Sequence, residues 1–390
     1  MANVNPINNP DHTAEENKFK SEDSKSVTLF LSGDIMTGRG IDQVLPYSVD
    51  PKIYEPYAKS AKDYVQLAER MHGRMPANVS FEYIWGDALE ELKQMNPDFR
   101  IINLETSVTK SGTPWQGKSI HYRMHPGNTP VLNAAGIDVC VLGNNHILDW
   151  GYEGLKDTLS SIRKENIQTT GAGDNQEFAG KPAVLKYGTG RLLVFSYGST
   201  TAGIPLDWSA AEQKPGVNLL PGFGIDGAEK IIETVQKHRE EGDIVLLSIH
   251  WGGNYGYDVP ARQQKLAHRL LDSGLVDLIH GHSSHHPMGI EVYKGRLILY
   301  GCGDLINDYE GIRGREEYRS DLRLLYFPKL DASGKLLNLK MTPLKTRRFQ
   351  LKHTDKKETG WLADTLDREC NKFGGSVEVS SDGRLTLLWK

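Results

Sequence analysis

Asp34, Glu105, Asn145, His250, His282 and His285 make up a mixed oxygen and nitrogen donor set. Two carboxylates, an amide and several imidazoles suit Zn, Mn or Fe better than Ca or Mg, which prefer oxygen alone. Two such ions side by side need one shared carboxylate, and Glu105 or Asp34 fits that part. A neutral Asn ligand leaves the site positive enough for an anionic substrate to approach. Divalent ions held this way lower the pKa of a bound water and polarise a substrate oxygen, which is hydrolytic chemistry. His146 directly follows Asn145 and is the expected general acid for the leaving group. Asp149 lies on the same loop and can hold the imidazole's orientation and tautomer.

Those side chains need elements to deliver them. The apolar run Val27-Thr28-Leu29-Phe30-Leu31 reads as a buried strand whose carboxyl end carries Asp34. Phe99 to Leu104 runs as a strand straight into Glu105, and Ile137 to Leu142 as one that ends at Gly143-Asn144-Asn145-His146. Asp243 to Ile249 ends at His250, and Val276 to Ile279 ends at His280-Gly281-His282. Helices are expected over 81–95, 152–165, 226–240, 260–272 and near 358–373, with hairpin strands at 289–300 and a terminal hairpin closed by Ser381-Asp382-Gly383. Alternating strands and helices predict a layered α/β protein, in which ligands bind beyond the carboxyl ends of strands. Singly, each residue has a duller reading: a turn or cap for Asp34, a capping or surface role for Asn103 and Glu105, a hydrogen-bonded core histidine for His250. Five strand ends carrying such residues together are hard to reconcile with chance.

Composition narrows the class. The chain has 390 residues, 38% hydrophobic and 25% charged, enough for one large domain with insertions. A net charge of -4 speaks against a general nucleic-acid binder. Cys140, Cys302 and Cys370 are too few and too scattered for a disulfide framework and read as buried thiols. Residues 1–26 are polar and read as a disordered tail without a secretory h-region. No run of about 18 apolar residues is present, so no membrane span is expected and a cytoplasmic location is the default. Residues 47–78 read as an insertion within a domain spanning 27–330, with 331–390 as an extension packing on the same domain.

The segments GDIMTGRG (33–40), INLET (102–106), GNNHILDWG (143–151), HWGGNY (250–255) and GHSSHHPMGIEVYKGRLILYGCGDLIND (281–308) resemble the CapA group, the poly-γ-glutamate biosynthesis or capsule-associated family of the calcineurin-like metallophosphoesterase superfamily. The resemblance implies a four-layer α/β/β/α sandwich and a dinuclear site of divalent ions (Mn, Zn or Fe). In it Asp34 and Glu105 are carboxylate ligands, Asn145 is the amide ligand, His146 is the catalytic acid, and His250 with the histidines of 282–285 completes the shell. It also implies that Arg123, and more weakly Arg39, contacts an anionic small molecule or polyglutamate, since guanidinium suits phosphate and carboxylate. The sequence departs from the superfamily pattern in three places. Met36 stands where Asp-x-His is usual, Glu105 replaces an aspartate, and Gly-His-x-His is stretched to Gly281-His282-Ser283-Ser284-His285. The ligands among His280, His282, His285 and His286 are therefore open, with His282 and His285 preferred. Relatives of this group are often membrane-anchored or exported, which the polar start does not suggest. A non-catalytic part in a polyglutamate synthesis or export assembly is the alternative; a nuclease is disfavoured by the absence of basic stretches interleaved with aromatics.

Overall fold

The computed structural model describes residues 26–188 and 190–390; the tail expected over 1–26 lies, apart from Ser26, outside the described residues. Two sheets stack face to face. The ten-stranded sheet runs Gly375–Val379, Leu385–Trp389, Leu336–Arg347, Leu322–Asp331, Ser26–Ile35, Phe99–Leu104, Val139–Val141 and Gln168–Thr170, with Asp304–Ile306 and Gln350–His353 attached to it. The six-stranded sheet runs Ile290–Tyr293, Arg296–Leu299, Leu278–His282, Ile244–His250, Gly190–Gly198 and Ala183–Tyr187.

Alternation along each strand divides its side chains between two layers. Leu29 and Leu31 face Leu192, Val194, Leu246 and Leu278 across the sheet-to-sheet interface. Phe30, Ile102 and Cys140 face outward onto the helices Ala88–Met95 and Gly151–Lys164, through Leu92, Leu155 and Ile162. On the far side Phe195, Val245 and Leu247 meet the helices Ile225–Gln236 and Ala261–Asp272, through Ile231, Val235, Leu266 and Leu270. The result is the four-layer α/β/β/α sandwich. Strands buried on both faces explain why they read as nearly unbroken apolar runs.

Some expectations shift. Within 81–95 only Ala88–Met95 is regular helix, because 81–87 forms turns and Gly86 takes φ +47 with its α-carbon against the Leu351 carbonyl. Residues 331–390 supply four strands of the large sheet, and the helix Lys356–Asn371 buries Leu362, Leu366 and Cys370 in the middle layer. Residues 47–78 contain the helix Lys62–His72 and a small cluster of Ile53, Ala58, Ala61 and Tyr64.

Register carries the function. Asp34, on a central strand, pairs with Asp304 on one side and Asn103 on the other, both in parallel. His250 pairs with His282 in the other sheet, also in parallel. The chain passes so close at Asp34 that its N–H bonds the Gly303 carbonyl at 2.9 Å, and a Cβ on Gly33 would overlap that oxygen. Gly33→Ala is therefore expected to destabilise the fold by about 3 kcal/mol or more, since backbone cannot give way as a flexible side chain can. Gly360→Ala, in the open middle of a helix, is expected to stabilise by roughly 0.5–1 kcal/mol. Urea unfolding of both variants checks the pair; equal effects would contradict this packing account.

Candidate metal centre

The strand ends meet. Asp34 is buried, its Oδ1 accepting from Asn103 Nδ2 at 2.7 Å while its Oδ2 has no hydrogen-bond partner. His282 Nδ1 and His250 Nδ1 lie 3.7 and 3.9 Å from Asp34 Oδ1 and 2.8 Å from each other. On the other side His285 Nδ1 sits 2.9 Å from Asp304 Oδ1. Asp34, His250 and His282 offer ligand atoms within 4.8 Å of one another, and so do Asp34, His285 and Asp304, so one carboxylate belongs to both groups. Glu105 Oε1 lies 3.7 Å from His250 Nε2 and 3.8 Å from His146 Nε2, and Asn145 Oδ1 is buried without a partner.

Asparagines tie these pieces together. Asn103 Oδ1 accepts from Asn144 Nδ2 at 3.0 Å, and Asn144 Oδ1 accepts the His146 N–H at 3.0 Å. His146 Nδ1 is 2.7 Å from Asp149 Oδ2, which also accepts the Tyr122 N–H at 2.6 Å, and the Tyr122 ring stacks on the imidazole with centroids 3.8 Å apart. Lys118 Nζ ties Asp149 Oδ1 to the Asn145 carbonyl.

A hydrogen-bond chain fixes the tautomer of His282. The Ser32 carbonyl can only accept, so His280 Nε2, 2.8 Å away, must donate to it. Burial pushes His280 down to about 4, so its ring is neutral and Nδ1 carries a lone pair. Ser248 Oγ, 3.1 Å from that nitrogen, donates to it and therefore accepts from His282 Nε2 at 2.9 Å. His282 Nδ1 is left unprotonated, accepting from His250 Nδ1 at 2.8 Å and lying 3.7 Å from Asp34 Oδ1. This is the outer-shell arrangement that prepares an imidazole to bind a cation.

Charge tells the same story. Burial, and then Asp304, push Asp34 up to about 8, and burial with Asp34 and Asp304 holds Glu105 well above the carboxylate range. Burial also drives His250 and His282 well below the usual imidazole range, leaving both rings neutral. Against its own burial His285 is raised by Asp304, and Asp304 is lowered by His285. Repelling carboxylates, neutral imidazoles and orphaned oxygens on Asp34 and Asn145 are the surroundings a divalent cation relieves, so the donor set fits such ions.

Of the residues singled out by sequence, Asp34, Glu105, His146, Asp149, His250, His282 and His285 converge here, with Asn145 on the same loop. His280 serves the relay, and His286 packs among Tyr257 and Tyr318 and belongs to neither ligand group. Arg39 is occupied inside the protein: its Nη1 bonds Glu55 at 2.9 Å, its Nε bonds Asp308 at 3.2 Å, and its guanidinium lies over Tyr64 and Tyr122. Arg123 points away from the donors, with its guanidinium 3.8 Å from the Trp150 ring centre. Sequence reading missed Asp304, Ser248, Asn103 as a ligand-holder, and Lys118. Gly303-Asp304 repeats Gly33-Asp34, which was the available signal for the first; the others carry no motif.

Two outcomes follow. Ser248→Ala should weaken divalent-ion binding about 10–100-fold, the usual cost of losing an outer-shell partner, and unchanged affinity by titration would break the relay. Asp34 and His285 must shed protons to bind a cation. Because the folded pKa of Asp34 lies above its unfolded value, its contribution to the stability of the metal-free protein falls as pH rises toward 8. Ion affinity should rise over that same window, with proton release visible by calorimetry in two buffers; a pH-independent affinity would contradict this.

Comparison with known proteins adds a family. The model of the bacterial capsule synthesis protein family, PGA_cap, matches residues 28–309. A probable polyglutamine synthesis accessory protein of Mycobacterium tuberculosis (strain H37Rv) is 43% identical over 365 residues, covering 93% of this chain and 96% of that protein. The PGA biosynthesis protein CapA of Bacillus subtilis (strain 168) is 27% identical over 375 residues, covering 96% and 85%. A solved 5'-nucleotidase precursor from Thermus thermophilus aligns over 87% of this chain and 58% of its own, at 16% identity and a TM-score of 0.43, an overlap too low to bear on this chain. Among the described residues no helix is long and apolar enough to cross a membrane. With a family match over most of its length and a relative this similar end to end, the chain belongs to the bacterial capsule synthesis protein family PGA_cap.

Proposed function

We propose that this protein is a metal-dependent hydrolase of polyglutamate or capsule biosynthesis, acting on a phosphoester or amide bond of an anionic substrate. The observation that carries the reading is Asp34, a single buried carboxylate common to two ligand groups. Asp34, His250 and His282 would hold one divalent ion, and Asp34, His285 and Asp304 a second. Glu105 and Asn145 would complete the shells. Mn, Zn or Fe suits these donors. When bound, such ions supply an acidified water and polarise the substrate oxygen. The name of one relative, a PGA biosynthesis protein, supports the anionic polymer or its precursors as the substrate class, while the polyglutamine named for the other is its uncharged amide counterpart.

The chain's own residues then divide the work. Asn103 holds Asp34 in place, and the Ser32–His280–Ser248 relay keeps His282 Nδ1 unprotonated. Burial, together with Lys118, pushes His146 well below the usual imidazole range, so the resting ring is neutral. Lys118 Nζ lies 3.1 Å from His146 Nδ1, but the shorter 2.7 Å contact is to Asp149, whose carboxylate takes the Nδ1–H and leaves the Nε2 lone pair facing Glu105 and the donors. His146 Nε2 is therefore placed to take the proton that the attacking water gives up and to pass it to the leaving group. Tyr122, stacked on the ring, limits its rotation.

A panel of aryl phosphates, phosphodiesters and γ-glutamyl amides, assayed with added Mn, tests the reading. Turnover of at least one class is expected, with His146→Ala lowering kcat about 10²–10⁴-fold while bound metal is retained. Turnover unaffected by that change would remove His146 from the chemistry. Absence of turnover across the panel by metal-replete protein would count against hydrolysis itself.

A further inference from the structure

The two buried arginines differ in one respect. Arg39 has two carboxylates, Glu55 and Asp308, against it. Arg123, 6% exposed, has none: among the described residues its guanidinium donates to the Ser111 and Asp50 main-chain oxygens and its Nε is buried with no partner. Asp42 comes closest to compensating it, but its oxygens already accept from His125 N, Val49 N and Asn128 Nδ2. A buried guanidinium whose hydrogen bonds go to neutral carbonyls, with no carboxylate in direct contact, is costly unless an anion joins it.

Arg123 lines a cleft of about 340 Å³ together with Lys52, Lys110, His125, Tyr54 and Asp50. Lys52 and Lys110 are exposed at its rim. The carboxylate of Asp50 is turned to the Lys52 N–H at 3.0 Å. Three permanent cations thus gather around one carboxylate, in a chain whose net charge is -4. The cleft is joined to the metal centre through the backbone. Tyr122 stacks on His146, the next residue reaches the cleft, and Trp150 lies under Arg123 while its Nε1 bonds the Tyr122 carbonyl at 3.0 Å.

We propose that this cleft is an anion subsite that holds a carboxylate-bearing unit of an extended polyanionic substrate, one step away from the unit being cleaved. It rests on the reading of the protein as acting on an anionic polymer. Arg123 supplies the fixed donor at the base of the cleft, and Lys52 and Lys110 close over the chain from the rim. A guanidinium edge with flexible ammonium groups suits separated carboxylates along a flexible backbone. Binding here contributes affinity for long substrates that a single unit lacks.

Fluorescence anisotropy with a labelled oligo-γ-glutamate tests this on the full-length chain in EDTA, so that turnover does not enter. The wild-type chain should bind the probe, and the Lys52→Glu/Lys110→Glu variant about tenfold more weakly, the scale of reversing two rim charges. Both side chains are exposed, and an unchanged melting temperature shows that the variant folds. Equal affinity of the two proteins, or no binding by wild type, overturns the subsite. Tighter binding of a single-stranded oligonucleotide of equal charge overturns its assignment to carboxylates. The hydrolase reading fails separately: a protein that binds the probe through Lys52 and Lys110 but turns over no substrate keeps the subsite and loses the catalysis.

Discussion

Everything at this site depends on one carboxylate buried where two sheets meet. Asp34 sits at the end of a central strand with Asp304 beside it and Glu105 within its field, and His285 and Lys118 offset these charges only in part. Burial and repulsion raise Asp34 and Glu105, so the protein alone favours protonated forms that bind metal poorly. A divalent ion on each side of Asp34, as proposed, would turn that penalty into the driving force for its own binding. The glycine at 33, the carbonyl of Gly303 and the amide of Asn103 are consequences: each lets the backbone come close enough to place the carboxylate in the middle.

Much of this was legible before any coordinates, because parallel strands buried on both faces announce themselves as apolar runs and polar residues at their carboxyl ends stand out. Asp34, Glu105, Asn145, His250, His282 and His285 were singled out as candidates that way. Asp304 was not, since its strand, Asp304–Ile306, is three residues long and pairs only with the end of Ser26–Ile35. Nor could sequence rank the histidines. His280 and His282 share a face by alternation, and only the Ser32 carbonyl and the Ser248 hydroxyl separate a relay residue from a candidate ligand. Lys118 lies in an irregular loop whose path no periodicity encodes. The long strand Leu336–Arg347 escaped because Pro343 interrupts an otherwise alternating pattern.

The two arginines show how the same resemblance resolves differently in three dimensions. Both were expected near an anionic substrate. Arg39 is locked between Glu55 and Asp308, and through its guanidinium over Tyr122 it backs the wall that holds His146. Residues 47–78, which supply Glu55 and Tyr64 to that cluster, therefore brace the site rather than decorate the surface. Arg123 has no carboxylate in direct contact with it, and it lies beside a cleft. Position in a motif was common to both; the partners that folding brought to each separate a strut from a docking point.

Crystals soaked in manganese and measured at an anomalous wavelength address the central claim most directly. Two anomalous peaks are expected, both bonded to Asp34, one shared with His250 and His282 and the other with His285 and Asp304. A single peak, or peaks that leave Asp34 unligated, would contradict it.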